Sequence, residues 1–289
     1  MTVGTDKETL FICPICGAKL YVKGKSLTCE KMHGFDIAKS GYVNLMPTLH
    51  GAHSAAAAKS GHGDNKKMIA ARRLFLDGGY YESLREAVCE ILSSCLPPHS
   101  AILDAGCGEG YYTERMFEKM PTADIYGIDI SKDALSILKG RPAIAAHLDI
   151  PRAAVASVYH LPFADSSFDG ITSIFSPYAH DEFMRTLKEG GYMVRVIPSR
   201  RHLFELKAAV YDTPYENEIQ PYQIDGFEFI GKKELSYRIT LPSHELIDAL
   251  FQMTPYYYRT SESDRERIRN LDRLETEVGF EILIYRKSR

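Results

Sequence analysis

An α/β fold built on a mostly parallel sheet, preceded by a small metal-stapled module, is predicted by three features of this sequence. Four soft-metal ligands sit at short spacing in the first 33 residues, brief apolar runs alternate with helical periods from residue 100 onward, and an acid followed by alternate glycines closes the first of those runs. Alternation of this kind is the sequence form of βαβ units. A chain of 289 residues with 45% apolar and 25% charged content can bury one large core and carry one small module. No run of about 18 apolar residues occurs, and the opening MTVGTDKETL lacks the charged-then-apolar layout of an export signal, so a cytoplasmic chain without membrane contact is expected.

The module comes first. Six cysteines in a chain without an export signal argue against a disulfide framework, because the cytosol keeps thiols reduced. Cys13 and Cys16 stand at the spacing that lets two thiolates reach one tetrahedral Zn²⁺, and Cys29 with His33 completes C-x2-C-x12-C-x3-H. Lys19 to Val22 and Ser26 to Thr28 read as short strands about Lys23-Gly24-Lys25, a hairpin that brings the ligand pairs together. Four protein ligands leave no open position, so the zinc is structural, and a segment this short needs such a staple to fold. The expected boundaries are 1–49 for the zinc module, 50–80 for a linker and basic helix, and 81–289 for the main domain. Gly51 to Asn65 is small, polar and Gly-rich, and His50, His53 and His62 around it read as solvated loop histidines. Lys66, Lys67, Arg72 and Arg73 open the helix that follows and form a cluster able to meet phosphates. Residues 1–85 hold 12 Lys and Arg against 7 Asp and Glu, while the rest hold 23 against 31, so the N-terminal part is the one expected to meet an anion.

In the main domain, the strand Ala101 to Asp104 runs into Asp104-Ala105-Gly106-Cys107-Gly108-Glu109-Gly110, and Tyr111 to Met120 continues as a helix. Glycines there let the backbone approach a ligand and open the helix N-terminus towards it. A second strand, Ile125 to Ile130, carries Asp129 near its end, about 20 residues past the glycine loop, where a ribose hydroxyl pair can be gripped. Ala153 to Val158 and Gly170 to Phe175 read as the third and fourth strands, and Tyr192 to Ile197 follows the Lys188-Glu189-Gly190-Gly191 turn. Residues 227–289 read as strand, helix, helix, strand, and the Pro- and Tyr-rich stretch Tyr211 to Gln223 reads as a loop over an acceptor site.

The D-x-G-x-G-x-G loop at Asp104 to Gly110, with Asp129 and the later strands, resembles the class I S-adenosylmethionine (SAM)-dependent methyltransferases. That resemblance implies a seven-stranded Rossmann-like sheet with an antiparallel final strand, SAM as cofactor, a ribose held by Asp129, an adenine edge between Ala156 and His160, and the methionine part beside Asp104 and Gly106. More narrowly, four parts of the chain are similar to the 23S ribosomal RNA guanine-N1 methyltransferases, including the tylosin-resistance type: the zinc module, Gly61 to Asn65 with Ala71 to Leu76, Gly79-Tyr80-Tyr81, and Cys107 to Tyr112. Arg201 to Lys207 and Gln252 to Pro255 extend the likeness over nearly the whole chain. The resemblance implies that the zinc module helps grip an RNA hairpin and that Tyr81, Gly108, Glu109 and His202 contact the cofactor. Gly140 to Arg152 is not matched by it. Ser176-Pro177-Tyr178-Ala179-His180 keeps only a distant echo of the N/D-P-P-Y/F signature of amino-group methyltransferases, which fits attack by a ring nitrogen.

Guanine N1 carries a proton, so the enzyme must align N1, methyl and sulfur and assist proton removal. His180 or Asp181 stands where it could take that proton, or equally where it could cap the next helix. His202 either lines the cleft or begins a helix in solvent, and Tyr81 either lines the cleft or packs on Leu84 and Val88. A small-molecule methyltransferase and a non-catalytic SAM-binding regulator are the competing classes, and a homodimer is plausible because an RNA hairpin is larger than one such cleft.

Overall fold

A computed structural model describes residues 7–47 and 64–288; His50, His53, His62 and most of the expected linker lie outside them. Strands β1 (Lys7–Ile12), β2 (Lys19–Lys23), β3 (Ser26–Thr28) and β4 (Gly34–Asp36) form an antiparallel sheet in chain order. The hairpin turn falls at Lys23-Gly24-Lys25 as the sequence predicts, with Gly24 at φ +64.

The next strand, β5 (Tyr42–Asn44), leaves that small sheet and joins the large one. Its order is β11 (Phe227–Leu241), β12 (Leu274–Lys287), β10 (Leu187–Pro198), β9 (Phe168–Ile174), β6 (Ala101–Ala105), β7 (Asp124–Asp129), β8 (Ala153–Val155), β5. Strands β5 to β10 of this sheet run parallel, and β12 enters antiparallel between β10 and β11. The class I methyltransferase architecture therefore stands, with eight strands among the described residues instead of the expected seven. The extra strand has a physical reason. β8 would otherwise present an unpaired edge, and Tyr42, Val43 and Asn44 satisfy it against Ala153, Ala154 and Val155.

This pairing ties the module to the large sheet, and the two share one core. Phe11 stacks on Phe163 at 5.0 Å and meets Tyr126 edge-on at 5.2 Å, and all three are buried. The Ile12 amide donates to the Pro162 carbonyl at 2.9 Å, and the Leu10 amide donates to the Tyr126 hydroxyl at 3.2 Å.

Helices cover the rest of the sheet. α1 (Lys66–Asp77) starts where the Asn65 side chain accepts from the amides of Lys67 and Met68, and it buries Met68, Ile69, Ala71, Phe75 and Leu76 at helical spacing. α2 (Glu82–Cys95) buries Leu84, Ala87, Val88, Ile91 and Leu92, and α3 (Tyr111–Lys119) begins straight from the glycine loop. The short helices α4 (Lys132–Leu135) and α5 (Pro142–Ala145) precede β8. α6 (His180–Thr186) and α7 (Phe204–Val210) flank β10, and α8 (His244–Gln252) with α9 (Glu262–Arg269) fills the span between β11 and β12. No described helix is long and apolar enough to cross a membrane.

Candidate active site and metal centre

Two tight turns build the metal centre. The Gly17 amide returns to the Cys13 carbonyl at 2.8 Å, and the Met32 amide returns to the Cys29 carbonyl at 2.9 Å, so each knuckle points its ligands to one place. Among the described residues, Cys13, Cys16, Cys29 and His33 form a group whose ligand atoms all lie within 4.8 Å of one another. The spacing suits zinc. Bonds of about 2.3 Å to sulfur and 2.0–2.1 Å to nitrogen give tetrahedral edges of roughly 3.5 Å for S···N and 3.7 Å for S···S. His33 Nδ1 stands 3.4 Å from Cys13 Sγ and 3.5 Å from Cys29 Sγ, and the Cys16 and Cys29 sulfurs are 3.7 Å apart.

The main cleft opens at the C-terminal ends of β6, β7 and β9, with a volume of about 720 Å³, inside the roughly 300–1,000 Å³ typical of cofactor and ligand sites. Gly106, Gly108 and Gly110 all take positive φ, at +89, +57 and +87. A methyl on Gly106 would come 2.5 Å from Ser176 Cβ, and one on Gly110 would come 2.5 Å from Ile144 Cδ1, so this turn has no room for side chains. Gly108, by contrast, faces open space in which the nearest atom to such a methyl is Arg72 Nη1 at 4.0 Å. Its amide donates to Asp129 Oδ2 at 2.9 Å, and Ser131 donates its amide to the other carboxylate oxygen at 2.7 Å. A carboxylate clamped between two amides beside a bare glycine turn fits a ribose-bearing cofactor.

Tyr81 and His202 close the far side, both buried and both on the cleft wall. The Gly279 amide donates to His202 Nδ1 at 3.2 Å, which leaves the ring proton on Nε2, 3.4 Å from the Tyr81 hydroxyl. Burial drives His202 down to about 3, so the imidazole is neutral, and burial pushes the Tyr81 phenol well above its ordinary range. With His202 donating to its oxygen, the Tyr81 hydroxyl keeps its own hydrogen for another acceptor.

Residues 11–54 match the family described as RlmA, N-terminal, a zinc ribbon, and residues 102–191 match a methyltransferase domain. A Bacillus subtilis protein, YxjB, provisionally named a 23S rRNA (guanine-N(1)-)-methyltransferase, is 33% identical over 96% of this chain and 96% of its own length. The 23S rRNA (guanine(748)-N(1))-methyltransferase of Streptomyces fradiae is 31% identical over 84% of each chain. The chain belongs to the 23S rRNA (guanine-N1)-methyltransferase family. It is a SAM-dependent methyltransferase with a structural zinc ribbon.

Of the predicted cofactor residues, Tyr81, Gly106, Gly108, Glu109, Asp129 and His202 line the cleft of this methyltransferase. Asp104 and His160 do not. Asp104 points down into the core, where its two oxygens accept from Thr172 Oγ1 at 2.9 Å and Thr113 Oγ1 at 2.6 Å, and burial raises its carboxyl to about 6. It braces the glycine turn from below. His160 is exposed beyond a tight turn in which its amide returns to the Ser157 carbonyl, and Tyr159 takes the wall position. Glu109 lines the cleft with its carboxylate engaged, accepting from Arg141 Nε at 3.0 Å and pairing with Nη2.

The candidate bases stand apart as well. His180 Nδ1 meets the Tyr178 hydroxyl at 2.8 Å, its ring packs edge-on to Phe227, and neither it nor the exposed Asp181 borders the cleft. Asp181 sits in the first turn of α6, where a carboxylate favours the helix N-terminus. In the N-terminal basic cluster, Lys66 and Lys67 are exposed, but Arg72 turns into the cleft and contacts Asp64, and Arg73 bonds Asp77 and the Gly140 carbonyl. Sequence reasoning missed Arg141, which lies in the unmatched stretch, and Asp64, whose carbonyl accepts from Ser131 Oγ at 2.7 Å. It also missed Phe175 and Ser176 as wall residues. Arg141 and Phe175 carry no local pattern, because their partners are distant in the chain, whereas Asp64 and Ser176 lie in segments singled out for their likeness to known families without a site role.

Proposed function

We propose that this methyltransferase transfers the methyl group of SAM to N1 of a guanine in a hairpin of 23S ribosomal RNA, working in the cytoplasm. The observation that carries the reading is the single cleft that joins the clamped Asp129 and bare glycine turn to an aromatic wall, in a chain whose zinc ribbon is welded to the same sheet. The substrate follows from the relatives' names and from the basic balance of residues 1–85. SAM supplies a methyl already activated on a sulfonium. The chain's residues would do the rest: Asp129 would hold the ribose hydroxyls, and Gly106 and Gly108 would let the backbone come close. Tyr81 and His202, on the opposite wall, would contact the bound cofactor, and the aromatic wall would exclude water from the reacting atoms. Arg141 holds Glu109, and through it the turn that the cofactor leans on. Two copies would give a hairpin a wider platform than one cleft, and sedimentation with and without the hairpin reads that out.

The test is methyl transfer to 23S RNA from a strain lacking the enzyme, mapped by primer extension. N1 methylation blocks Watson–Crick pairing, so a new stop one nucleotide before a guanine is expected. Label from SAM appearing in a small molecule and not in RNA would overturn the reading.

A further inference from the structure

Three rings that line the cleft are exposed, Tyr159, Phe175 and Tyr215, and of these Phe175 is the one whose chain neighbour, Ser176, bonds the strand leading into the glycine turn. Phe175 follows β9 at φ +53, a conformation that bulky side chains rarely adopt and that gathers at functional sites. Its amide donates to the Val196 carbonyl at 3.2 Å, so β10 holds the twist. The next residue is fixed to the glycine turn, since Ser176 Oγ donates to the Ala105 carbonyl at 2.6 Å and crowds Gly106. Phe175 is thus one residue along the chain from the contact with the glycine turn, and it lines the same cleft. On its inner side it meets Phe280, His202 and Tyr81, with centroids at 5.9, 6.2 and 6.3 Å. Even so, 44% of Phe175 is exposed, in a residue that lines the cleft. The aromatic of the signature echo, Tyr178, is unavailable for this role: it bonds His180, carries the Arg195 guanidinium 4.6 Å above its ring, and does not border the cleft.

We propose that Phe175 is the stacking surface for the acceptor guanine, setting the plane of the base so that N1 meets the methyl. The inference rests on the function proposed above. An enzyme acting on a base in RNA takes it out of its stack, and an aromatic side chain replaces the lost neighbour. A π face does so for any base, so Phe175 supplies placement and rate, and recognition of guanine falls to other groups.

The experiment uses the full chain with its zinc and a 23S hairpin. Absence of the wild-type primer-extension stop would overturn the function itself. Given that stop, Phe175→Ala should lower kcat/KM for the hairpin about 10- to 100-fold, the range set by loss of one base–aromatic stack. Phe175→Tyr and Phe175→Trp should stay within about threefold of wild type, and Phe175→Leu, apolar but without a π face, should fall with the Ala variant. Calorimetric affinity for S-adenosylhomocysteine should be unchanged in all four variants. Full activity in Phe175→Leu would reduce the ring to packing, and parallel loss of S-adenosylhomocysteine binding would assign it to the cofactor; either overturns the proposal. Should Phe175→Ala fold poorly, the Leu and Tyr variants decide between the same outcomes.

Discussion

Asp104 lies beneath the glycine turn, bonded to Thr113 and Thr172, and does not line the cleft. Its carboxyl is raised to about 6 chiefly by burial, with Asp129 nearby adding to the effect. Above that pH the loop has a buried negative charge beneath it, which favours a cationic ligand and burdens the empty fold. SAM affinity measured by calorimetry should therefore rise as pH increases through about 6, while S-adenosylhomocysteine, which lacks the sulfonium charge, should respond less. Asp104→Asn should flatten the SAM profile, and an unchanged slope in that variant would refute the link. His202 carries the opposite lesson. Its folded value of about 3 lies below the unfolded value of about 6.5, so between these limits the unfolded chain binds more protons. Stability contributed by the neutral ring is present above about pH 6.5 and is lost as pH falls towards 3. Urea midpoints at pH 4 and 7 should differ less in His202→Asn than in the wild type.

At the scale of the element, β1 and β5 tie the zinc ribbon to the sheet. Phe11 is the peg, filling space between Tyr126 and Phe163. Phe11→Ala should cost about 3–5 kcal/mol, the usual cost of deleting a buried phenyl ring, as read from urea unfolding. Zinc removal should act through the same contact. Chelation or Cys16→Ser should lower the thermal midpoint of the whole chain in one calorimetric transition, because the unfolded ribbon exposes Phe163 and the β8 edge. Two separate transitions would show that the ribbon is an independent unit. On the other flank, Lys207 is a buried cation on α7 whose ammonium donates to the Tyr215 carbonyl at 3.0 Å and to Asn217 Oδ1 at 2.7 Å. Those bonds fix Tyr215 and Asn217 of the Pro- and Tyr-rich loop, and both residues line the cleft.

For the whole molecule, the charge layout predicts how RNA binds. Lys23, Lys25 and Lys31 are exposed on the ribbon, apart from the cleft that carries the chemistry. Replacing each with Ala should weaken hairpin binding uniformly across sequences and reduce the salt slope by about one per lysine, with turnover of bound RNA unchanged. Binding that ignored both salt and these lysines would move the RNA contact elsewhere.

The chain's sequence determined whatever depends on spacing along it. The four zinc ligands, the glycine turn, Asp129 and most of the strands and helices could be read because each rests on a fixed spacing along the chain. Tertiary structure alone decided the rest. β5 completes an edge that folding creates, Asp104 turns inward because Thr113 and Thr172 meet it from two other elements, and Glu109 is engaged by an arginine 32 residues away. Phe175, Ser176 and Pro177 fall inside the cleft, and His180 and Asp181 fall outside it, because the chain has turned away from the cavity by the start of α6. Such outcomes turn on which surfaces pack together, and no local pattern encodes that.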